Sequence, residues 1–296
     1  MSTLDGYTLG FIGLGLMGRP MCLNLHRAGA RMVVHNRSQG VIDEIEQVGI
    51  TPAKTPAEVA RSTDIIILML TDTPAVENVL FAQHGLIETL QQGSLVIDMG
   101  TTAVATTRAA AARLQDHAGC DYVDAPVSGG EIGAIEARLT IMAGGSQDAI
   151  GRARPVFEAL GSSFTHVGDS GAGQVAKAAN QVIVGLNIGA VAEALALVES
   201  AGVDPTKVRQ ALMGGFAASR ILEVHGQRMI DEQFKPGAKV TTQCKDLRQA
   251  IELGALNGQA LPATELNLSL YESLVERGQG GLDHSALIKA LKADTA

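Results

Sequence analysis

The first half of the chain alternates short apolar runs, typical of β-strands, with segments that carry helix signals. Most of these runs lack the polar alternation of a half-exposed strand, which indicates a sheet covered by helices on both faces. The alternation predicts an α/β fold with a doubly wound, mostly parallel Rossmann-type sheet. The β-prone runs lie at residues 8–12, 32–35, 64–70, 95–98, 122–124, 139–142 and 164–167.

A glycine-rich turn follows the first β-prone run and opens the first helix signal, and its six residues are Gly13, Leu14, Gly15, Leu16, Met17 and Gly18. A G-x-G-x-x-G pattern in this strand–turn–helix context is typical of dinucleotide binding. The first glycine allows a tight turn, the second lets a pyrophosphate approach the backbone, and the third lets helix and strand pack closely. The start of the helix then offers N–H groups to the phosphates.

The β-prone runs end near Gly168, and a long helix signal over residues 173–201 follows. Further helix signals begin at Asp204 and at residues 218, 241, 263 and 284. We therefore predict a dinucleotide-binding domain over residues 1–168 and an all-helical domain for substrate binding and oligomerisation over residues 169–296. The long helix at the junction is expected to belong to both domains.

The end of the second β-prone run predicts which dinucleotide is bound. An NAD site usually has an acidic side chain there for the ribose 2′-hydroxyl, whereas this chain has Asn36, Arg37 and Ser38. A guanidinium group binds a 2′-phosphate well and a carboxylate would repel it. The sequence therefore predicts a preference for NADP, with NAD possible, unless Arg37 is only a solvated loop residue. We also count Met69 and Leu70, at the end of the 64–70 run, among the cofactor-binding residues.

Composition excludes several classes of protein. The 296 residues are 46% hydrophobic, enough for a large core, and the net charge of −8 argues against nucleic-acid binding, which depends on neutralised phosphates. Three widely spaced cysteines do not form a disulfide framework and favour a reducing compartment. Neither a signal peptide nor a confident membrane span is recognised, so we expect a cytoplasmic protein without a membrane partner.

Two further expectations come from residue spacing. The seven histidines have no H-x-x-x-H spacing and no Cys/His cluster is visible, so no metal site is predicted. The apolar helical half predicts a homo-oligomer, either a dimer or a tetramer.

Two segments carry unusual polar chemistry. Ser128, Gly129 and Gly130 follow a β-prone run, and their hydroxyl and N–H groups would cradle an anion if the segment is more than a simple turn. Lys177 lies in a small, apolar helix opening, with Asn180 and Gln181 on the same helical face. A lone helical lysine is usually solvated, but these neighbours favour a polar pocket.

Four ordered motifs resemble the β-hydroxyacid dehydrogenase family, also called the 3-hydroxyisobutyrate dehydrogenase family. They lie at residues 10–18, 124–130, 171–180 and 245–246, and the resemblance covers essentially the whole chain. It implies that Lys177 is the catalytic acid and base and that Ser128, Gly129 and Gly130 hold a substrate carboxylate. It also implies that Thr101 lies by the nicotinamide and that Lys245 closes over the cofactor from the helical domain.

The resemblance implies hydride transfer between a nicotinamide cofactor and a small aldehyde acid. Within the family, residues 124–131, 179–184, 234–237 and 283–286 resemble the branch that reduces tartronate semialdehyde. Gln181 replaces the asparagine of many relatives, and Asn36-Arg37 resembles reductases of glyoxylate and succinic semialdehyde, so those substrates and 3-hydroxyisobutyrate chemistry stay open. A non-catalytic NADP sensor and an imine reductase are the rivals, and neither accounts for Lys177 beside a carboxylate cradle.

Overall fold

The computed structural model describes residues 3–292. The strands within these residues are β1 (Thr8–Ile12), β2 (Arg31–His35), β3 (Thr51–Pro52), β4 (Ile65–Leu68), β5 (Leu95–Asp98), β6 (Asp121–Asp124), β7 (Val127–Ser128), β8 (Leu139–Gly144) and β9 (Gly161–Gly168). They form one sheet in the order β3-β2-β1-β4-β5-β6-β8-β7, with β9 paired to β8.

The sheet confirms the predicted doubly wound, mostly parallel fold. Strands β1 to β6 run parallel, whereas β8 is antiparallel to β6 and β7 and parallel to β9. The strand order reverses between β1 and β4, and open α/β sheets bind ligands outside the carboxyl ends of the strands at such a point. The glycine-rich turn follows β1 at this place.

Both faces of the sheet are buried because successive side chains of a strand point to opposite faces. Phe11 and Ile67 belong to one apolar cluster, whereas Ile66 and Leu68 belong to another. The helices that connect the strands are α1 (Gly18–Arg27), α2 (Gln39–Glu46), α3 (Pro56–Ser62), α4 (Thr73–Phe81), α5 (Val104–Ala118), α6 (Gly130–Ile135) and α7 (Gln147–Leu160).

The remainder of the described chain is helical, as predicted. Its helices are α8 (Ala172–Ser200), α9 (Pro205–Leu212), α10 (Arg220–Ile230), α11 (Val240–Leu256), α12 (Pro262–Glu276) and α13 (Ile288–Leu291), with a 3₁₀ turn over His284–Leu287. The chain divides into two compact units, one up to Lys177 and the other from Ala178, so the division falls within α8. The second unit has its own apolar core around Ile188, Leu247 and Tyr271.

Helix α8 is unusually apolar. Its 29 residues have a mean hydropathy of 1.8 over their most apolar stretch, which by length and composition would suffice to cross a membrane. The core helix of a soluble protein meets the same test, so this property is weak evidence for a membrane span.

Candidate active site

The glycine-rich turn has the geometry that dinucleotide binding requires. Gly13 has a positive φ of 99°, and a Cβ there would overlap with the backbone oxygen of Met69. A Cβ on Gly18 would overlap with the backbone oxygen of Gly13, so the helix can start this close to the strand only with glycine. A Cβ on Gly15 would meet nothing within 4 Å, so its backbone is open to a ligand.

The end of β2 is tied to this turn. Asn36 accepts a hydrogen bond from the Leu14 N–H through Oδ1 at 3.0 Å and donates from Nδ2 to the Ser38 oxygen at 3.0 Å. Its amide therefore fixes the turn against the end of β2, a positioning role that sequence reasoning missed because the partners lie 22 residues apart. Arg37 and Ser38 are exposed beside it.

Lys177 is buried in the second turn of α8, and its ammonium group donates to the backbone oxygen of Val127 at 2.8 Å. Val127 opens strand β7, and Ser128 closes it. Ser128 is half-buried, whereas Gly129 and Gly130 are exposed and have positive φ values of 135° and 61°. The structure thus brings the predicted acid and base next to the predicted carboxylate cradle.

Asp124 holds the start of the helix that carries Lys177. Its carboxylate accepts from the Gly171 N–H at 2.7 Å and from the Gln174 N–H at 2.9 Å. Burial raises the pKa of Asp124 to about 6, the two N–H donors lower it, and the charge of Asp98 raises it. Sequence reasoning found Asp124 in a motif but not this role, since its partners lie about fifty residues away.

Thr101 lies in the irregular segment between β5 and α5 and is half-buried. The neighbouring Asp98 carboxylate accepts from the Gly100 N–H at 3.0 Å, the Thr102 hydroxyl at 2.6 Å and the Tyr122 hydroxyl at 3.0 Å. The Asp98 carboxylate therefore holds the segment around Thr101, which is not paired with a strand.

Three other predicted site residues, Asn180, Gln181 and Lys245, lie within the second unit. Asn180 donates to Gln181 at 2.7 Å, and Gln181 donates to the buried Asp246 at 2.5 Å. Asp246 also pairs with the Lys245 ammonium group at 3.0 Å. Two motifs that are 65 residues apart in the sequence thus form one polar network, which involves α8 and α11.

One further cluster was absent from the sequence prediction. His225, Asp283 and His284 have potential ligand atoms within 4.8 Å of one another, and the two imidazole Nε2 atoms are 3.3 Å apart. The Asp283 carboxylate caps the 3₁₀ turn at Ser285 and pairs with Arg228 at 2.8 Å. An arginine on the same carboxylate opposes a divalent cation, so a structural role explains the cluster better than a metal site does.

Comparison with known proteins gives the class. Residues 8–168 match the family model of the NAD-binding domain of 6-phosphogluconate dehydrogenase. Residues 171–291 match that of the NAD-binding region of NADP-dependent 3-hydroxyisobutyrate dehydrogenase. These matches, together with the glycine-rich turn at the sheet's switch point, define an NAD(P)-dependent oxidoreductase.

The chain belongs to the 3-hydroxyisobutyrate dehydrogenase family, as the sequence motifs predicted. It is 47% identical to 2-hydroxy-3-oxopropionate reductase of Escherichia coli K12 over 96% of this chain and 97% of that one. The structure of Mycobacterium tuberculosis 3-hydroxyisobutyrate dehydrogenase with L-serine has a TM-score of 0.87 at 29% identity, covering 97% of this chain and 99% of the other. A structure described as Psf3 in complex with NADP+ and 2-OPP has a TM-score of 0.87 at 25% identity and covers 96% and 100% of the two chains.

Proposed function

We propose that the protein is an NADP-dependent reductase of small aldehyde acids, with tartronate semialdehyde (2-hydroxy-3-oxopropionate) as its favoured substrate. The main support for this proposal is the hydrogen bond that the buried Lys177 ammonium group donates to the backbone oxygen of Val127, the residue before Ser128. This bond supports a proton donor beside the proposed carboxylate cradle. The identity with a 2-hydroxy-3-oxopropionate reductase supports the choice of substrate.

The turn and the strand ends fit a bound NADP. The backbone of residues 13–18 would hold the pyrophosphate, because Gly15 leaves space for it and α1 begins at Gly18. Arg37 and Ser38 would hold the 2′-phosphate, while Met69, Leu70 and Thr101 would line the site. The family resemblance adds Lys245 as a cofactor contact. When bound, the reduced nicotinamide supplies a hydride to the carbonyl carbon.

Lys177 supplies the proton. As the carbonyl carbon is reduced, negative charge develops on its oxygen, and the Lys177 ammonium group donates a proton there, which gives the alcohol. In the oxidative direction, the neutral amine takes the proton from the hydroxyl group. Asn180 and Gln181 would orient the carbonyl group or the lysine, since their amides offer both donors and acceptors.

Ser128, Gly129 and Gly130 bind the other end of the substrate. Each hydrogen bond to a charged group contributes about 1.5–3 kcal/mol. Two or three such bonds to a carboxylate therefore correspond to several powers of ten in kcat/KM, since each 1.36 kcal/mol is a factor of about ten. Part of this energy orients the reacting carbon, so kcat falls together with affinity when the carboxylate is missing.

A substrate panel tests the proposal. Tartronate semialdehyde, glyoxylate, succinic semialdehyde and methylmalonate semialdehyde are compared with the uncharged glycolaldehyde, each with NADPH and with NADH. We expect fast NADPH oxidation with the aldehyde acids, fastest with tartronate semialdehyde, and a kcat/KM for glycolaldehyde lower by about a thousandfold or more. Equal kcat/KM values for glycolaldehyde and the acids contradict the carboxylate cradle, and no turnover of any acid favours the NADP sensor.

The proposal extends to assembly and location. We propose a homo-oligomer, either a dimer or a tetramer, in the cytoplasm. Exposed apolar side chains of the helical half, including Ile183, Leu197 and Phe216, support association. The three free, buried cysteines fit a reducing compartment. Light scattering on the purified protein measures the mass, and a monomer at micromolar concentration contradicts the first part.

A further inference from the structure

Gln174 joins the helix that carries Lys177 to the irregular segment that contains Thr101. It lies in the first turn of α8 and is almost completely buried. Its Nε2 donates to the Gly100 oxygen at 2.9 Å, and its Oε1 accepts from the Thr102 N–H at 3.1 Å. A carbonyl group can only accept and an N–H can only donate, so these partners fix the orientation of the amide.

The two bonds reach the peptide groups on both sides of Thr101. The Gly100 oxygen belongs to the peptide group before Thr101, and the Thr102 N–H belongs to the one after it. A single side chain therefore constrains the backbone of Thr101 from both directions, as a neighbouring strand would in a sheet. The segment lacks strand partners of its own, so this constraint is not duplicated by a β-ladder.

The other end of Gln174 is fixed as well. Its backbone N–H donates to the Asp124 carboxylate, which also holds the start of α8. Lys177 is one helical turn further along and is fixed separately, through its bond to Val127. The path from Thr101 to Lys177 thus runs through one amide and one turn of helix.

We propose that Gln174 is a positioning residue, which sets the distance between the nicotinamide side of the site, at Thr101, and the proton donor, Lys177. The inference rests on the proposed function, because it assigns Thr101 to the cofactor and Lys177 to the substrate oxygen. Hydride and proton must reach adjacent atoms of one carbonyl group, and a misplacement of about 1 Å can cost a hundredfold in rate. Gln174 touches neither reactant in this assignment and acts through the Thr101 segment.

Gln174→Met is the principal variant, since methionine has a similar size and cannot make either bond. We expect kcat to fall about 10- to 100-fold, with little change in the Kd for NADPH. The primary isotope effect with NADPH deuterated at the transferred position should rise, because hydride transfer becomes slower relative to product release. A loss of folded protein lowers the active fraction but leaves the isotope effect unchanged.

Gln174→Glu gives a second, reversible readout. A protonated carboxyl group can donate to Gly100 and accept from Thr102 as the amide does, whereas the ionised group cannot donate. The introduced carboxyl group would lie near Asp98, which accepts from the Thr102 hydroxyl and the Tyr122 phenol, and near Asp124, which accepts from the backbone N–H of residue 174. Lys177, one helical turn away, is the nearest cation along α8, and its ammonium group is bonded to Val127. Desolvation and the two carboxylates favour the protonated form of the introduced group. Its kcat relative to the unmutated protein should therefore rise as the pH falls, whereas the deficit of Gln174→Met should not depend on pH.

Thr63→Val is the matched control, because the buried Thr63 hydroxyl donates to a backbone oxygen, that of Val59, away from this segment. It should lower stability and leave kcat and the isotope effect unchanged. The inference is overturned if Gln174→Met keeps the unmutated kcat and isotope effect, or if its loss of activity merely follows its loss of folded protein. The proposed function fails separately, if Lys177→Ala keeps its turnover.

Discussion

Asp124 and Asp283 are both completely buried, yet their surroundings shift their pKa values in opposite directions. Burial is the largest influence on each and raises both pKa values, because a less polar environment disfavours the charged form. The pKa of Asp124 rises to about 6, since backbone N–H groups offset burial only in part and Asp98 adds repulsion. The pKa of Asp283 lies well below its usual range.

The partners explain the difference. Asp283 interacts with His225 and His284, accepts from Ser285 and Gly237, and also pairs with the Arg228 guanidinium group. Together these outweigh the cost of burying the charge. The bonds to the Asp124 carboxylate come from two neutral backbone N–H groups, those of Gly171, just before α8, and Gln174, in its first turn.

The two environments belong to regions with different tasks. Asp283 links α10, the segment before α11 and the 3₁₀ turn within the second unit, where a fully paired charge serves the fold. Asp124 holds the start of α8, the helix that carries Lys177, and within residues 3–292 it pairs with no arginine as Asp283 does with Arg228. Ionisable groups whose pKa values are strongly shifted cluster at functional sites. The comparison therefore predicts that charge changes around Asp124 and Lys177 mainly alter activity. Charge changes around Asp283 should mainly alter stability.

The largest effect is expected for Asp283→Asn. The substitution leaves Arg228 without its buried partner, and breaking a buried ion pair costs about 3–5 kcal/mol. Urea denaturation monitored by circular dichroism measures the free energy of unfolding, and kcat per folded molecule should stay nearly unchanged. Glu223→Gln is the control, because its exposed pair with Arg220 should contribute at most about 1 kcal/mol. Similar stability losses in the two variants would contradict the comparison.

Lys177→Ala should show the reverse pattern. We expect kcat to fall by at least about a hundredfold, within the range of a general acid or base, while the free energy of unfolding and the Kd for NADPH change little. Stopped-flow measurement of NADPH oxidation gives the rate, and the exposed Lys54→Ala provides a matched control in the same unit. Near-normal turnover of the best aldehyde acid would show that Lys177 is not the proton donor.

The sequence predicts the fold well where the signal is local. The apolar runs, the glycine-rich turn and the helix signals that begin at Asp204 and at residue 284 all depend on neighbouring residues, and the structure has a strand or helical segment at each of these places. The strands β3 and β7 were missed, because two residues are too few for any periodic pattern.

The sequence predicted which residues belong to the site, but not the hydrogen bonds that join them. Family motifs pointed to Lys177 and Ser128, yet no local pattern shows that Asn36 bonds to Leu14 or that Gln174 holds the segment around Thr101. Those contacts depend on the order of the strands in the sheet, because this order decides which carboxyl ends, and which segments after them, are neighbours. Sequence distance hides them, since a side chain can satisfy a backbone group 72 residues away.

The pH dependence of stability sharpens the contrast between the two aspartates. The folded pKa of Asp124 is raised, so between about pH 4 and pH 6 the folded state binds more protons than the unfolded state, and stability falls as the pH rises. The rise of the Asp124 pKa to about 6 corresponds to at most about 3 kcal/mol in the free energy of unfolding. Asp283 has a lowered folded pKa, so its contribution is present above about pH 4 and is lost as the pH falls further.

Asp124→Asn removes the pH-dependent contribution of Asp124 to stability. The difference in free energy of unfolding between the unmutated protein and this variant should decrease from pH 4 to pH 6 and then stay constant. Urea denaturation at several pH values measures it, and the slope is compared rather than the level, because the amide also loses a hydrogen bond. A difference that does not vary with pH would mean that Asp124 titrates normally.

Arg37→Asp tests a charge outside both buried regions and carries the smallest expected effect. Arg37 is exposed, and an exposed charge contributes little to the fold, so its replacement should leave stability within about 0.5 kcal/mol. The change replaces a partner of the 2′-phosphate with a carboxylate that repels phosphate and can accept from a ribose hydroxyl. We expect the ratio of kcat/KM for NADPH to that for NADH to fall by about tenfold or more, which is 1.4 kcal/mol or more in differential binding.

Lys54→Ala, which removes an exposed positive charge elsewhere in the same unit, should leave the ratio unchanged. If the unmutated protein uses both cofactors equally well, Arg37 does not select NADP, and the cofactor preference must come from other residues.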